Sequence, residues 1–140
     1  MSERWLVVGA GGQLGSDLLR VLGAASSAGA ADSAGTAGAA GAVEVVGLRR
    51  SELDVTDPAA VAKVFADVVP AIVVNAAAYT AVDAAETDEA AAHAANAVAP
   101  GLLAAEAAAS GARLVHVSTD YVFAGDAALP YDEDAPTDPR

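Results

Sequence analysis

Gly9, Gly12 and Gly15 recur at every third residue in the run Gly9-Ala10-Gly11-Gly12-Gln13-Leu14-Gly15. The run joins an apolar stretch, Arg4 to Gly9 (RWLVVG), to a helical one, Gln13 to Leu22. Glycines placed between a strand and a helix do specific work. Gly9 permits a tight turn, Gly12 lets the backbone approach a pyrophosphate, and Gly15 lets the helix pack closely. The helix start then directs partial positive charge at the phosphates. The spacing is G-x-x-G-x-x-G, with Leu14 where a G-x-G-x-x-G motif has its third glycine. No Gly-Lys-Ser/Thr follows, so a P-loop is excluded. The plainer reading is a glycine-rich turn in a chain with 13 glycines; position and period favour dinucleotide binding.

Arg49 and Arg50 follow a second apolar run, Val43 to Leu48. An acidic residue there selects the free ribose hydroxyl of NAD, whereas Arg can take the 2′-phosphate of NADP. NADPH is therefore expected, with NADH the alternative and a solvated charge pair the plainer reading. Asp54 and Val55 come next, where Asp can bond an adenine amino group and Val can cover the ring. His93 and His116 share no ligand spacing, and His116, mid-strand, reads as a satisfied core residue. Asp83, Glu86, Asp88 and Glu89 read as a solvated helix start.

These residues need a scaffold that brings strand ends together. Strand-like runs at 4–9, 43–48, 71–74 and 113–117 alternate with helical ones. Asp57-Pro58 opens a helix to about Val69, with Val61, Val64, Phe65 and Val68 inward. Two more helices are expected, Asp88 to Ala95 and Pro100 to Ser110, the second ended by Gly111. Leu14, Leu18, Val21 and Leu22 form the apolar stripe of the first helix. Unbroken apolar strands between helices predict a Rossmann-like, doubly wound parallel α/β sheet. Ala24 to Gly41 is almost all Ala, Gly and Ser, and reads as a flexible surface insertion.

Composition narrows the class. The 140 residues carry a net charge of −12, from 7 basic and 19 acidic residues, and no Cys. Nucleic acid is not an expected partner, because no basic stripe offsets that charge. Disulfides and thiolate metal sites are excluded. No signal peptide or membrane span is expected, which suits a cytoplasmic location.

Three further segments carry a family resemblance: Val74-Asn75-Ala76-Ala77-Ala78-Tyr79-Thr80-Ala81-Val82-Asp83-Ala84-Ala85-Glu86, then Asn96-Ala97, then Val117-Ser118-Thr119-Asp120-Tyr121-Val122-Phe123-Ala124-Gly125. With the glycine turn, they make the chain resemble the dTDP-4-dehydrorhamnose reductase family of extended short-chain dehydrogenases. The resemblance implies NADPH- or NADH-dependent reduction of a dTDP-4-keto-6-deoxysugar, giving dTDP-L-rhamnose. It places Gly12, Gln13 and Leu14 at the phosphates, Arg49 at the ribose-selecting position, and Asp54 and Val55 at the adenine. Ala78, Tyr79 and Thr80 match the loop beside the nicotinamide ribose, and Val117 lines the cofactor pocket. Thr119 and Asp120 match the substrate-contacting pair, and Thr119 takes the hydroxyl place in a Ser/Thr-Tyr-Lys catalytic set. There a hydroxyl donor stabilises the carbonyl oxygen as it gains charge, and a Tyr with a Lys four residues on supplies the proton. In isolation Thr119 would read as a capping residue at a strand end.

The departure from the family lies in that Tyr-Lys pair. Tyr79, Tyr121 and Tyr131 are followed four residues later by Asp83, Gly125 and Ala135, and Lys63 is the one lysine. The chain is thus read as the cofactor-binding domain, residues 1–140, truncated before the substrate domain of a parent about twice as long. A homodimeric parent fits the family. The family is also described with Mg²⁺, so the resemblance implies a possible Mg²⁺ whose ligands are unassigned. A second reading is a non-catalytic NADP-binding regulator, since the regulatory beta subunit of methionine adenosyltransferase shares the fold and similar motifs.

Overall fold

A computed structural model describes residues 3–28 and 43–139. Four strands form one parallel sheet: β1 (Glu3–Val8), β2 (Val43–Leu48), β3 (Ile72–Asn75) and β4 (Arg113–His116). Their spatial order is β2-β1-β3-β4. β1 is paired on both sides, Val8 aligning with Leu48 of β2 and with Asn75 of β3. The order reverses between β1 and β3, so the crevice outside their carboxyl ends is where a ligand of such a sheet binds.

Helices cover both faces. Helix α1 (Gln13–Ala28) lies on one, where a Cβ on Gly47 would come within 2.6 Å of Leu19 Cδ1. Helices α2 (Pro58–Val68) and α5 (Ala99–Ser110) lie on the other. Between them and the sheet, Leu6, Val8, Leu53, Val61, Phe65, Val73, Leu103 and Ala107 form the core, with Val64 and Val68 packed against it. Burial of such side chains contributes about 1.5–3 kcal/mol each. Asp57 caps α2, its Oδ1 accepting from Ala59 N–H at 2.9 Å and Ala60 N–H at 3.3 Å, and Pro58 opens the first turn. The α2 stop is unusual. Val69, a β-branched residue, takes the left-handed conformation at φ 48°, whereas α5 ends on Gly111 at φ 73°, the residue type suited to that geometry.

Several expectations are corrected. Helix α1 continues to Ala28, so the first residues of the expected insertion Ala24 to Gly41 are helical. Ala is the best helix former, so propensity carries the helix past the end of its apolar periodicity. Residues 29–41 of that insertion lie outside the described residues. Leu14 and Val21 are exposed, whereas Leu18 and Leu22 are half-buried together with Leu19, which lies against Gly47.

The two helices expected between 88 and 110 are one continuous rod. Helix α4 (Glu89–His93) passes through a π-helical turn at Ala94–Val98 into α5, and Pro100 sits in the first turn of α5, a position that tolerates proline. A short helix, α3 (Val82–Ala85), precedes them. His116 is the exposed last residue of β4, not a core residue, because β4 is paired on one side alone among the described residues. No helix among the described residues is long and apolar enough to cross a membrane.

Candidate functional site

The turn after β1 is fixed by backbone contact. Gly9 adopts φ +81°, and a Cβ there would lie 2.6 Å from Ala77 N and 2.7 Å from Ala76 C. A Cβ on Gly15 would lie 2.3 Å from Gly9 O. Both positions therefore require glycine for packing inside the protein. Gly12 differs: its Cβ would meet Gly9 O at 3.4 Å, an ordinary contact. What glycine supplies at 12 is bare backbone facing outward. Gly9 and Ala10 N–H both donate to Leu48 O at 3.0 Å, which ties the turn to the end of β2.

From that turn opens a cavity of about 530 Å³, within the range of about 300–1,000 Å³ usual for small-molecule sites. Gly9, Gly11 and Gly12 line one side, and Arg49 to Ser51 with Leu53 to Thr56 line a second. Ala76 to Tyr79 form the third, backed by Ala91, Ala94 and Ala95 of the α4–π-turn rod. The ends of β1, β2 and β3 thus converge on one space.

Arg49 is held at its backbone, its N–H donating to Glu52 Oε2 at 3.0 Å and its carbonyl accepting from Glu52 and Leu53 N–H at 2.9 Å. Its side chain extends past Gly11, whose Cβ would lie 3.5 Å from Arg49 Cγ. Neither Arg49 nor Arg50 forms an ion pair among the described residues. In so acidic a chain, two arginines that form no salt bridge among the described residues, beside a cavity, favour an anionic ligand. Asp54 Oδ1 accepts from Thr56 Oγ1 at 2.7 Å and Thr56 N–H at 2.9 Å. These two bonds, with the charge of Arg50 adding to them, hold its carboxyl below the usual carboxylate range against the small cost of desolvation.

The loop after β3 is pinned by two asparagines. Asn75 Oδ1 accepts from Ala77 N–H at 3.0 Å. Asn96, carried on the π turn, accepts from Tyr79 N–H at 2.8 Å and donates to Tyr79 O at 3.0 Å. Bulges of this kind are frequent at functional sites, because they re-aim one side chain out of a regular helix.

Of the residues expected from sequence, Gly9, Gly12, Arg49, Asp54, Val55, Ala78 and Tyr79 line the one cavity. Gln13 and Leu14 start α1 beside it, and Gly15 is buried under the turn. Thr80, Val117, Thr119 and Asp120 lie outside its lining. Thr119 caps the short 3-10 turn Asp120–Val122, its Oγ1 accepting from Tyr121 N–H at 3.2 Å. The capping role and a donor role coexist, because accepting that bond leaves the hydroxyl proton available. Beyond it, Phe123 stacks on Tyr131 at 4.5 Å, and Tyr131 Oη accepts from Asp126 N–H at 3.0 Å.

Sequence reasoning missed Thr56 and the alanines of the rod as cavity residues. Thr56 was findable: Asp-x-Thr is an Asx-turn pattern. Ala91, Ala94 and Ala95 carry no such signal, being alanines among many. Among the described residues no group of His, Asp and Glu is placed to hold a metal, and no Mg²⁺ ligands are assigned.

The family model described as the RmlD substrate binding domain matches residues 3–140. A Streptomyces antibioticus protein named probable dTDP-4,6-dihydroxy-2-methyloxan-3-one 4-ketoreductase is 51% identical over 98% of this chain and 41% of its own length. A dTDP-4-dehydrorhamnose reductase of Streptomyces griseus is 47% identical over 98% of this chain and 40% of its own length. The crystal structure of a Bacillus anthracis dTDP-4-dehydrorhamnose reductase in complex with NADP superposes with a TM-score of 0.83 at 33% identity, covering 99% of this chain and 44% of that one. The chain spans about 40% of the length of the curated relatives it matches.

Proposed function

Because the chain belongs to the RmlD substrate binding domain family, we propose that it is the cofactor-binding domain, residues 1–140, of an NADPH-dependent reductase of dTDP-4-keto-6-deoxysugars. The observation that carries this reading is the cavity at the sheet's reversal point, lined by bare glycine backbone and by two arginines that form no salt bridge among the described residues. Such a space fits an elongated polyanionic cofactor. Backbone N–H groups at the start of α1 hold the pyrophosphate. Arg49, with Arg50 beside it, takes the ribose 2′-phosphate. Asp54 and Val55 face the adenine, and Ala78 to Thr80 face the nicotinamide ribose.

The bound cofactor supplies a hydride to the sugar's carbonyl carbon. The residues of this chain bind and orient. Thr119 donates a hydrogen bond from its hydroxyl to the carbonyl oxygen as charge develops there, a contribution that in comparable sites reaches about 2.7–4 kcal/mol. Asp120 holds the sugar. The proton that completes the alcohol comes from no residue of these 140, since no Tyr precedes a Lys by four positions. A cytoplasmic location and a homodimeric parent belong to the same reading.

The test is cofactor titration and turnover of a dTDP-4-keto-6-deoxysugar by the intact protein, with Arg49→Ala beside it. A charged hydrogen bond is worth about 1.5–3 kcal/mol, so NADPH affinity should fall about 10- to 100-fold. NADH affinity should not change. An unaltered NADPH-to-NADH ratio would make Arg49 a surface charge, and absence of turnover would remove the reductase reading.

A further inference from the structure

Asn75 closes β3 and is only 2% exposed, the buried polar residue of the core among the described residues. A buried amide must find partners for both its ends. Its Oδ1 accepts from the Ala77 N–H, and a backbone N–H can only donate. That bond settles which way the amide points. Nδ2 is therefore the atom facing His116, 3.2 Å from its Nδ1. An amide nitrogen donates and does not accept, so Nδ1 must be the acceptor. In this arrangement the ring proton sits on Nε2.

We propose that His116 is a positioning residue for the cofactor loop: its unprotonated Nδ1 locks the Asn75 amide, and Asn75 in turn locks the Ala76–Ala77 backbone against the glycine turn. The proposal rests on the reading of the cavity as the cofactor site. The loop has no slack to absorb a change. Ala77 N and Ala76 C already occupy the space that a Cβ on Gly9 would need. An Asn75 amide turned over would set Nδ2 against the Ala77 N–H, two donors face to face, and the loop would have to leave its seat. Ala76 and Ala77 line the cavity, whereas Asn75 and His116 do not, so the effect passes through the backbone. His116 itself is exposed. Replacing it therefore removes little buried surface, which separates orientation from packing. The tie also joins the strand that leads to Thr119 with the strand that leads to the cofactor loop.

The intact protein tests this in two ways. Nitrogen-15 NMR of the histidine rings should show His116 as the Nε2–H tautomer; an Nδ1–H tautomer overturns the proposal. NADPH titration then compares wild type, His116→Leu and His116→Asn. The amide oxygen of Asn stands where Nδ1 stands and can accept from Asn75. Losing one neutral hydrogen bond should weaken binding about fivefold in His116→Leu, and His116→Asn should restore it to within about twofold of wild type. Equal binding by all three proteins, or equal loss in both variants, overturns the positioning role and leaves the cofactor site standing. Failure of the wild type to bind NADPH overturns the cofactor reading and this proposal with it.

Discussion

Val74 and Val115 are register partners in adjacent parallel strands and share a face of the sheet, yet Val74 is 6% exposed and Val115 is 46% exposed. The first belongs to β3, which has a strand on each side and the glycine-lined cavity at its end. The second belongs to β4, which among the described residues is paired on one side. Val117, Tyr121 and Leu129, on the stretch that follows, are exposed as well. The cavity side is a finished object, in which backbone atoms of three strand ends touch and leave one shaped space. The Thr119 side is held chiefly by its own local bonds: the Thr119 cap, the Phe123–Tyr131 stack and the Tyr131 hydroxyl. Apolar sequence marks a strand as able to be buried; neighbours decide whether it is.

The largest expected effect comes from asking the Thr119 side to work without further residues. Expressed alone, these 140 residues should reduce a dTDP-4-keto-6-deoxysugar at least about 10²–10⁴-fold more slowly than the intact protein, the usual contribution of a general acid. NADPH oxidation measures it. Turnover within about tenfold of the intact protein would mean that the proton comes from a residue already present and that the two sides are equally complete.

Glycine substitutions probe the finished side next. Gly15→Ala forces a Cβ to 2.3 Å from Gly9 O, a backbone atom with no room to retreat, and should cost about 3 kcal/mol in urea unfolding. Gly101→Ala, on exposed helix with nothing within 4 Å of the new Cβ, should instead stabilise by up to about 1 kcal/mol. Equal effects would show that the turn yields.

The contrast between strands is sharpened by truncating side chains. Leu103→Ala, from the fully buried core under β3, should cost about 2–5 kcal/mol. Val115→Ala should stay within about 0.5 kcal/mol in the 140-residue chain. A large Val115 effect would mean that β4 is covered in solution.

The smallest effect concerns Asp54. Its carboxyl is lowered by the Thr56 hydroxyl first and the Thr56 N–H second. A lowered acid stabilises the fold where it is ionised. That contribution is present above the ordinary carboxylate range and is lost as the pH falls through the lowered value. Thr56→Val removes the larger cause. Carboxyl carbon-13 shifts should then show Asp54 titrating at higher pH, with a smaller acid-side loss of stability, because the folded value moves toward the unfolded one. An unmoved titration would assign the shift to the backbone bond and to Arg50.

The sequence by itself determined the local pieces and their kind. Glycines at 9, 12 and 15, the Asp57-Pro58 start, the Gly111 stop and the apolar runs each act through near neighbours, so α/β alternation and the place of the glycine turn were legible. So was the resemblance carried by residues 74–86 and 117–125. Tertiary structure decided what depends on residues far apart in the chain. The fusion of two expected helices through a π turn is one such outcome, because the Asn96 that the turn carries bonds to Tyr79, seventeen positions away. The exposure of His116, expected in the core, is another: no periodicity within β4 records whether a strand lies beyond it. The orientation of Asn75 is a third. Its amide is read only from Ala77 on one side and His116 on the other, and nothing in the order of residues brings those two groups to opposite ends of one buried side chain.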